Sequence, residues 1–270
     1  MADLARLSLN QATTERWSVA EAVEGCVRHD IRSIGLWRHK VQETGLKESA
    51  RLVRDAGLHV SSLCRGGMFP AATATERKLR IQDNFMAVTE CAELGADCLV
   101  LVVGAAVEVP LPSARQMVSD GLAALVPHAK KHGVRLGLEP LHPMFAAERC
   151  VLNTIDQALE MAAPYSPEEV GLILDTFHIW WDPRVYEQIE SASGRIFGLH
   201  VSDWLVPLPD ILMGRGIMGD GVIDNRSIRE AIDRTGYRGP IEVEVFNQTV
   251  WDSPGTEVLD VIVERFSSRV

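Results

Sequence analysis

The sequence predicts an α/β fold, a single eight-stranded parallel β/α barrel over residues 1–270. Short β-rich runs alternate with amphipathic stretches along the whole chain, a pattern typical of βα units and a parallel sheet. The length suits one such barrel. No linker, low-complexity segment or internal repeat indicates a second domain. A doubly wound open sheet is the structural alternative, and its ligand would also lie at the C-terminal ends of the strands.

Clear sequence signals mark the beginning or end of several helices in the first four predicted βα units. Ser18-Val-Ala-Glu21 is a capping box that opens the first helix. Gly57 and Gly95 supply the left-handed residues that end the next two helices. The fourth strand is nearly all apolar, as expected for a parallel strand buried on both faces. The predicted strands are Leu4–Asn10, Ser33–Trp37, Val60–Cys64 and Cys98–Val103, and the later helices are 44–56, 74–94 and 113–133.

The last four units carry the longest loops, which follow strands 5, 6 and 7. Long loops in compact domains are more often functional than not. Asn153 is predicted to cap the helix that follows strand 5. The predicted strands are Val134–Glu139, Val170–Asp175, Ile196–Val201 and Ile241–Val245, and the helices are 153–163, 184–191, 225–235 and 256–266.

Composition indicates an acidic protein with enough apolar residues for a large core. The net charge is −10 and hydrophobic residues make up 46% of the chain, a balance that argues against nucleic acid as a partner. We see neither a signal peptide nor an apolar stretch long enough to span a membrane. The five cysteines are scattered and form no CxxC pair. Together these features predict a cytoplasmic protein with reduced thiols.

Four consecutive strands in the second half end on residues that can bind a metal, namely Glu139, Asp175, His200 and Glu244. In a parallel barrel the strand C-termini converge on one face, where catalytic residues lie. Three carboxylates and one imidazole there would hold one hard or borderline divalent cation. For any one of these residues alone, a salt bridge or helix cap is an equally good interpretation. Glu242 competes with Glu244, because residues two apart share a strand face; Glu244 is preferred because it lies nearer the loops.

At these strand ends the sequence resembles the xylose isomerase-like TIM barrel superfamily of sugar isomerases and epimerases, which includes ketose 3-epimerases and inosose-processing enzymes. The resemblance covers nearly the whole chain. The segments that carry it are Gly137-Leu-Glu-Pro-Leu-His-Pro143, Leu174-Asp-Thr-Phe-His178, Gly198-Leu-His-Val-Ser-Asp203, Gly219-Asp-Gly-Val-Ile-Asp224 and Glu242-Val-Glu-Val-Phe246.

The resemblance implies one divalent cation, Mn, Mg, Co or Zn, bound by the four strand-end residues. It also implies that His178 and Arg215 contact a small carbohydrate substrate, and that the protein is a dimer or tetramer. Two further residues are candidates from their positions. His142 lies close after Glu139 and is a substrate contact or a packing residue. Asp203 contacts substrate, orients the His200 imidazole or helps bind a second metal.

Such a site could catalyse three related reactions through an enediolate. Glu139 and Glu244 arrive from different strands and could face opposite sides of the substrate as a paired acid and base. Proton return to the opposite face gives epimerisation, return to the neighbouring carbon gives isomerisation, and loss of a hydroxyl gives β-elimination. We therefore expect a sugar isomerase or epimerase, with a lyase or dehydratase as the alternative.

Three other function classes are weaker interpretations of the same sequence. A metal-dependent abasic-site endonuclease shares the fold but would need a basic groove and more histidines. A sugar-binding protein without catalysis would keep the metal only to organise its pocket. Gly214-Arg-Gly-Ile-Met-Gly219 matches GxGxxG but does not link a strand directly to a helix, so dinucleotide binding is disfavoured.

Overall fold

The computed structural model describes residues 3–270, which form a closed barrel of parallel strands surrounded by helices. The predicted fold is confirmed. The prediction that there is no signal peptide rests partly on Met1 and Ala2, which lie outside the described residues. The barrel strands are β1 (Leu7–Asn10), β2 (Ser33–Trp37), β3 (His59–Gly67), β4 (Cys98–Val102), β5 (Arg135–Leu138), β6 (Val170–Asp175), β7 (Ile196–Val201) and β10 (Ile241–Val243). Two short antiparallel strands, β8 (Asp203–Trp204) and β9 (Arg215–Gly216), pair within the loop after β7.

The barrel closes by pairing of its first and last strands. Leu9 of β1 is in register with Val243 of β10, and with Ile34 of β2 on the other side. The helices that cover the barrel are α1 (Val19–Arg28), α2 (Arg38–Thr44), α3 (Leu46–Asp55), α4 (Ala74–Leu94), α5 (Leu111–Lys131), α6 (Ile155–Ala162), α7 (Thr176–Ile179), α8 (Val185–Ser191), α9 (Asn225–Arg234), α10 (Gln248–Asp252) and α11 (Gly255–Arg269). Among residues 3–270, no helix is both long enough and apolar enough to span a bilayer.

Several predicted boundaries differ from the structure for local reasons. The helix predicted over 44–56 is α3 (Leu46–Asp55), and a separate helix that was not predicted, α2 (Arg38–Thr44), ends at Gly45, whose φ of 93° is not helical. Strand 1 begins at Leu7, because Leu4–Arg6 form a 3-10 turn. The cap of α6 is Thr154 rather than Asn153, since the Thr154 hydroxyl accepts from the Gln157 N–H. The capping box at Ser18 and Glu21 is confirmed.

On the side formed by β5, β6 and β7, the barrel interior beneath the C-terminal face is apolar and tightly filled. Ile173 of β6 projects between Gly137 and Gly198 on the two neighbouring strands. A Cβ at Gly137 would lie 2.7 Å from Ile173 Cγ1, and one at Gly198 would lie 2.9 Å from its Cδ1. Real Cβ atoms do not approach a neighbouring side chain this closely. Glycine at both positions therefore leaves the space that the branched Ile173 side chain fills. Because side chains two apart share a face, Glu139, Asp175 and His200 form the next layer above this apolar one.

Candidate active site

The four predicted metal ligands meet at the C-terminal face of the barrel. Asp175 and His200 lie on β6 and β7, and Glu139 and Glu244 follow directly after β5 and β10. One ligand atom from each lies within 4.8 Å of the others, and all four residues are buried. Three carboxylates cannot share a buried site without a compensating cation, because burial strongly disfavours isolated charge. The structure thus brings together a donor set that could bind a metal.

The hydrogen bonding of His200 supports this fit. Both of its ring nitrogens are buried, and neither has a hydrogen-bond partner among residues 3–270. Its Nδ1 lies 3.7 Å from carboxylate oxygens of both Glu139 and Glu244, too far for a hydrogen bond but suitable for ligands around a common centre. A buried imidazole nitrogen is rarely left unpaired in this way. Carboxylate and imidazole donors together suit Mn²⁺, Mg²⁺, Co²⁺ or Zn²⁺.

Arg215 is the permanent cation of the site. It lies on β9, and its Nη1 donates to Asp175 Oδ2 at 2.6 Å and to Glu244 Oε2 at 3.0 Å. Its guanidinium also stacks between two rings, 4.7 Å from the Phe177 centroid and 5.0 Å from that of Phe246. Buried and held from several sides, Arg215 is fixed against one edge of the acidic cluster. Arg215 therefore stabilises the charged forms of Asp175 and Glu244, which it contacts, more than that of Glu139.

The two candidate acid–base carboxylates have opposite electrostatic environments. Burial and the charge of Glu244 raise the pKa of Glu139 well above its usual range. Burial also disfavours the Glu244 carboxylate, but Arg215 and His200 more than offset this and hold its pKa below the usual range. Pairs of carboxyl groups whose pKa values are driven apart are typical of acid–base sites. Without a metal, Glu139 is thus the carboxyl group that takes up a proton more readily, and Glu244 the one that gives up a proton more readily.

Glu242 lies behind His200, deeper in the barrel than Glu244. Its Oε2 is 3.4 Å from His200 Nε2 and accepts a hydrogen bond of 2.7 Å from Asn10 Nδ2. Gly35 leaves the space that this carboxylate occupies, since a Cβ there would overlap it. Burial lowers the pKa of His200, but Glu242 and Glu244 outweigh it and raise that pKa to about 10. Glu242, rather than Asp203, is therefore the carboxylate that lies next to Nε2 of this imidazole.

His178 lies beside the acidic cluster on α7, a short helix that the sequence analysis missed. Asp175 caps this helix by accepting from the Phe177 N–H. His178 Nε2 is 3.1 Å from Arg215 Nη2 and 3.7 Å from Asp175 Oδ2, while its Nδ1 has no partner. Burial and the charge of Arg215 keep the pKa of His178 well below its usual range. A neutral imidazole thus lines the cavity, with a buried Nδ1 that no group among residues 3–270 binds.

Asp203 and His142 lie away from the four ligands. Asp203 accepts backbone N–H groups from Gly219 and Ile223, at 2.7 and 2.9 Å, so it shapes the loop after β7. The expectation that it contacts substrate, orients His200 or serves a second metal finds no contact to support it. His142 packs its ring against Trp204 at 5.0 Å, and its Nδ1 accepts from the Met144 N–H. These contacts favour the interpretation that His142 is a packing residue.

A narrow cavity of about 30 Å³ lies directly above the cluster. Glu139, Glu244, His178 and Arg215 line it, so those predicted site residues share one space. Sequence reasoning missed two of its walls, Arg65 near the C-terminal end of β3 and Arg149 in the loop after β5. A charged residue at the C-terminal end of a barrel strand was a usable signal for Arg65. Arg149 had no comparable signal, because its loop is irregular.

The chain matches a known family over most of its length. The family is described as xylose isomerase-like TIM barrel, and its model matches residues 20–264. An inosose isomerase of Bacillus velezensis is 24% identical, over 96% of this chain and 95% of that protein. A 3-dehydroshikimate dehydratase of Pseudomonas putida is 34% identical over 57% of this chain, but that match covers only 24% of the dehydratase.

Two solved structures are similar to the chain along almost its full length. Protein SMc04130 from Sinorhizobium meliloti 1021 is 46% identical, with a TM-score of 0.96 and 99% of both chains covered. A structure of IOLI protein with a binding zinc atom is 22% identical, with a TM-score of 0.83, covering 98% of this chain and 99% of that one. At that lower identity, the second likeness shows the fold alone.

Proposed function

Because the chain belongs to the xylose isomerase-like TIM barrel family and is an enzyme of that family, we propose that it is a divalent-metal-dependent isomerase or epimerase. Its substrate in this proposal is a ketose, a keto-sugar or an inosose. The observation that carries the proposal is the buried cluster of Glu139, Asp175, His200 and Glu244 under a cavity. A cation held there would supply Lewis acidity to a carbonyl oxygen and the adjacent hydroxyl.

In this proposal Glu139 is the base that removes the carbon-bound proton. Its raised pKa suits proton transfer near neutral pH better than an ordinary carboxylate would. Glu139 and Glu244 directly follow β5 and β10 and both line the cavity, so they can face opposite sides of a bound substrate. Delivery to the opposite face of a proton that Glu244 has taken up from solvent, while Glu139 passes the abstracted proton to solvent, inverts the centre. Return by Glu139 to the neighbouring carbon gives isomerisation instead.

In this proposal the remaining site residues contact the substrate or balance the negative charge of the carboxylates. Arg215 balances Asp175 and Glu244, and its guanidinium forms part of the cavity wall. His178, neutral and with a free Nδ1, is the proposed partner for a substrate hydroxyl. His142 would reach substrate only at the edge of the site, through its packing against Trp204.

The cofactor in this proposal is a single Mn, Mg, Co or Zn ion, and the zinc named for the IOLI structure supports that range. We also propose that the protein is cytoplasmic, in keeping with five free, buried cysteines. A homodimer or homotetramer is proposed from the family resemblance.

A lyase or dehydratase is the second candidate function. The 34% identity to a dehydratase over 57% of this chain favours it. The same proton removal by Glu139 would begin the reaction, and the hydroxyl one carbon further on would leave as water. Product mass separates the two functions, because only elimination loses water.

Hydrogen exchange with solvent tests the proposal. The metal-restored protein is incubated with ketoses, inososes and keto-acids in deuterated water, and loss of carbon-bound hydrogen is followed by NMR. We expect exchange by the wild type and a loss of about 100-fold or more for Glu139→Gln. Glu93→Gln, an exposed change on α4, is the matched control and should exchange normally. Absence of exchange and turnover on all these compounds would refute the proposal.

A further inference from the structure

Two arginines that line the cavity above the four candidate metal ligands have no carboxylate partner among residues 3–270. Arg65 and Arg149 line the cavity beside Glu139 and Glu244, and both side chains are partly buried. Within residues 3–270, neither forms an ion pair. Arg65 makes one side-chain contact, from Nη1 to the sulfur of Met68 at 3.1 Å. The Arg149 guanidinium lies 6.0 Å from the centroid of the Phe145 ring.

Several other partly buried arginines of this protein donate to carboxylate or backbone carbonyl oxygens. Arg38 is paired with Asp83 at 2.9 Å and with Glu90 at 2.5 Å. Arg195 donates to the carbonyl oxygens of Val170 and Tyr165 at 3.0 and 2.8 Å. A partly desolvated guanidinium normally needs such an oxygen, because its loss of water must be compensated by hydrogen bonds. Within residues 3–270, the Arg65 and Arg149 guanidinium groups donate to no oxygen atom.

Arg149 lies close to two other guanidinium groups. Burial lowers its pKa and the positive charges of Arg65 and Arg215 lower it further, while Glu139 and Glu244 act in the opposite direction. Arg65, Arg149 and Arg215 thus line one cavity. Arg215 is paired with Asp175 and Glu244, and the other two guanidinium groups are left to bind an occupant of the cavity.

From this geometry we infer that the substrate carries an anionic group, a carboxylate or a phosphate, that Arg65 and Arg149 bind opposite the metal-chelating end. This inference rests on the proposed function, since it adds an anchoring group to the same substrate. Guanidinium groups match the geometry of both anions and bind them through paired N–H donors. A protein with a net charge of −10 would otherwise repel such a substrate.

The positions of the two arginines also set the orientation of the substrate. Arg65 lies near the C-terminal end of β3 and Arg149 follows β5, so they approach from one side of the barrel mouth, whereas Arg215 enters from the loop after β7. An anion held between them would place the rest of the molecule across the cavity, toward Glu139 and Glu244. Substrates without the anion would lose this orientation, because only contacts at the chelating end would remain.

Calorimetric binding at low salt tests the inference directly. The metal-loaded protein is titrated with gluconate, with glucose 6-phosphate and with the neutral polyols glucitol and myo-inositol. We expect one of the anionic compounds to bind at least about tenfold more tightly than the neutral ones. Gluconate and glucose 6-phosphate distinguish a carboxylate site from a phosphate site. Equal binding of charged and neutral compounds would overturn the inference.

Arginine variants assign the effect to the two residues. Arg65→Gln and Arg149→Gln should each weaken binding of the preferred anion by about tenfold and leave neutral polyols unchanged. Arg54→Gln removes the same charge from a 71%-exposed side chain on α3 and is the matched control. If both variants bind the anion as tightly as wild type, the inference is wrong. Because no exchange chemistry is measured, failure of the proposed isomerase reaction would leave these results intact.

Discussion

Replacement of Glu242 by glutamine tests how the barrel supports its metal ligand. Glutamine has the same size and keeps an oxygen that can accept from Asn10, so the fold around β10 should survive. What it removes is the negative charge 3.4 Å from His200 Nε2. A carboxylate in that position makes a ligating imidazole more basic and fixes its tautomer. The change therefore acts on metal binding through His200, without touching the metal.

The size of the effect follows from that distance. Two full charges 3.4 Å apart interact by about 5 kcal/mol at an effective dielectric constant of about 20. A metal-bound imidazole carries only part of a charge, so only part of this energy is lost. We expect metal affinity to fall by about 10- to 100-fold, which corresponds to about 1.4–2.7 kcal/mol.

Competition with a chelating dye measures this loss for Zn²⁺ and Mn²⁺. Thermal unfolding without metal checks that Glu242→Gln folds, and Glu93→Gln on α4 again serves as the exposed control. A folded variant whose affinity stays within about twofold of wild type would refute the support role of Glu242. Weaker metal binding by Glu93→Gln to the same extent would also refute it, because the effect would then be general.

Two further predictions concern stability. Gly35→Ala should lower the free energy of unfolding by about 1–3 kcal/mol, because its Cβ would overlap the Glu242 carboxylate that Asn10 holds in place. Calorimetry without metal should show a lower Tm for this variant. An unchanged Tm would contradict this packing. Asp233 is partly buried, yet hydrogen bonds from Arg6 and Arg229 hold its pKa below the usual range. The pairing therefore stabilises the fold above pH about 4 and is lost as pH falls through the lower, folded-state value. Compared with Asp233→Asn in urea titrations, wild type should be more stable at pH 6 by about 1 kcal/mol or less after solvent screening, and equally stable near pH 2; a constant difference across this range would argue against the pairing.

The sequence by itself determined the barrel and the residues that end its strands. Strand periodicity, helix caps such as Ser18 and the apolar β4 are local signals, and they needed no knowledge of distant contacts. The convergence of Glu139, Asp175, His200 and Glu244 then follows from topology alone, because all parallel strands of a closed barrel present their C-termini on one face. For this reason four residues spread over about a hundred positions could be predicted to meet.

The surroundings of those residues depend on contacts between segments that are far apart in the chain. Glu242 lies behind His200 because β10 pairs with β7 in one particular register, with Glu242 opposite His200. The loop after β7 directs Arg215 into the cluster and leaves Asp203 bound to backbone N–H groups. Arg149 reaches the cavity from an irregular loop. Loop conformation depends on contacts between distant segments, and no local pattern of residues encodes them.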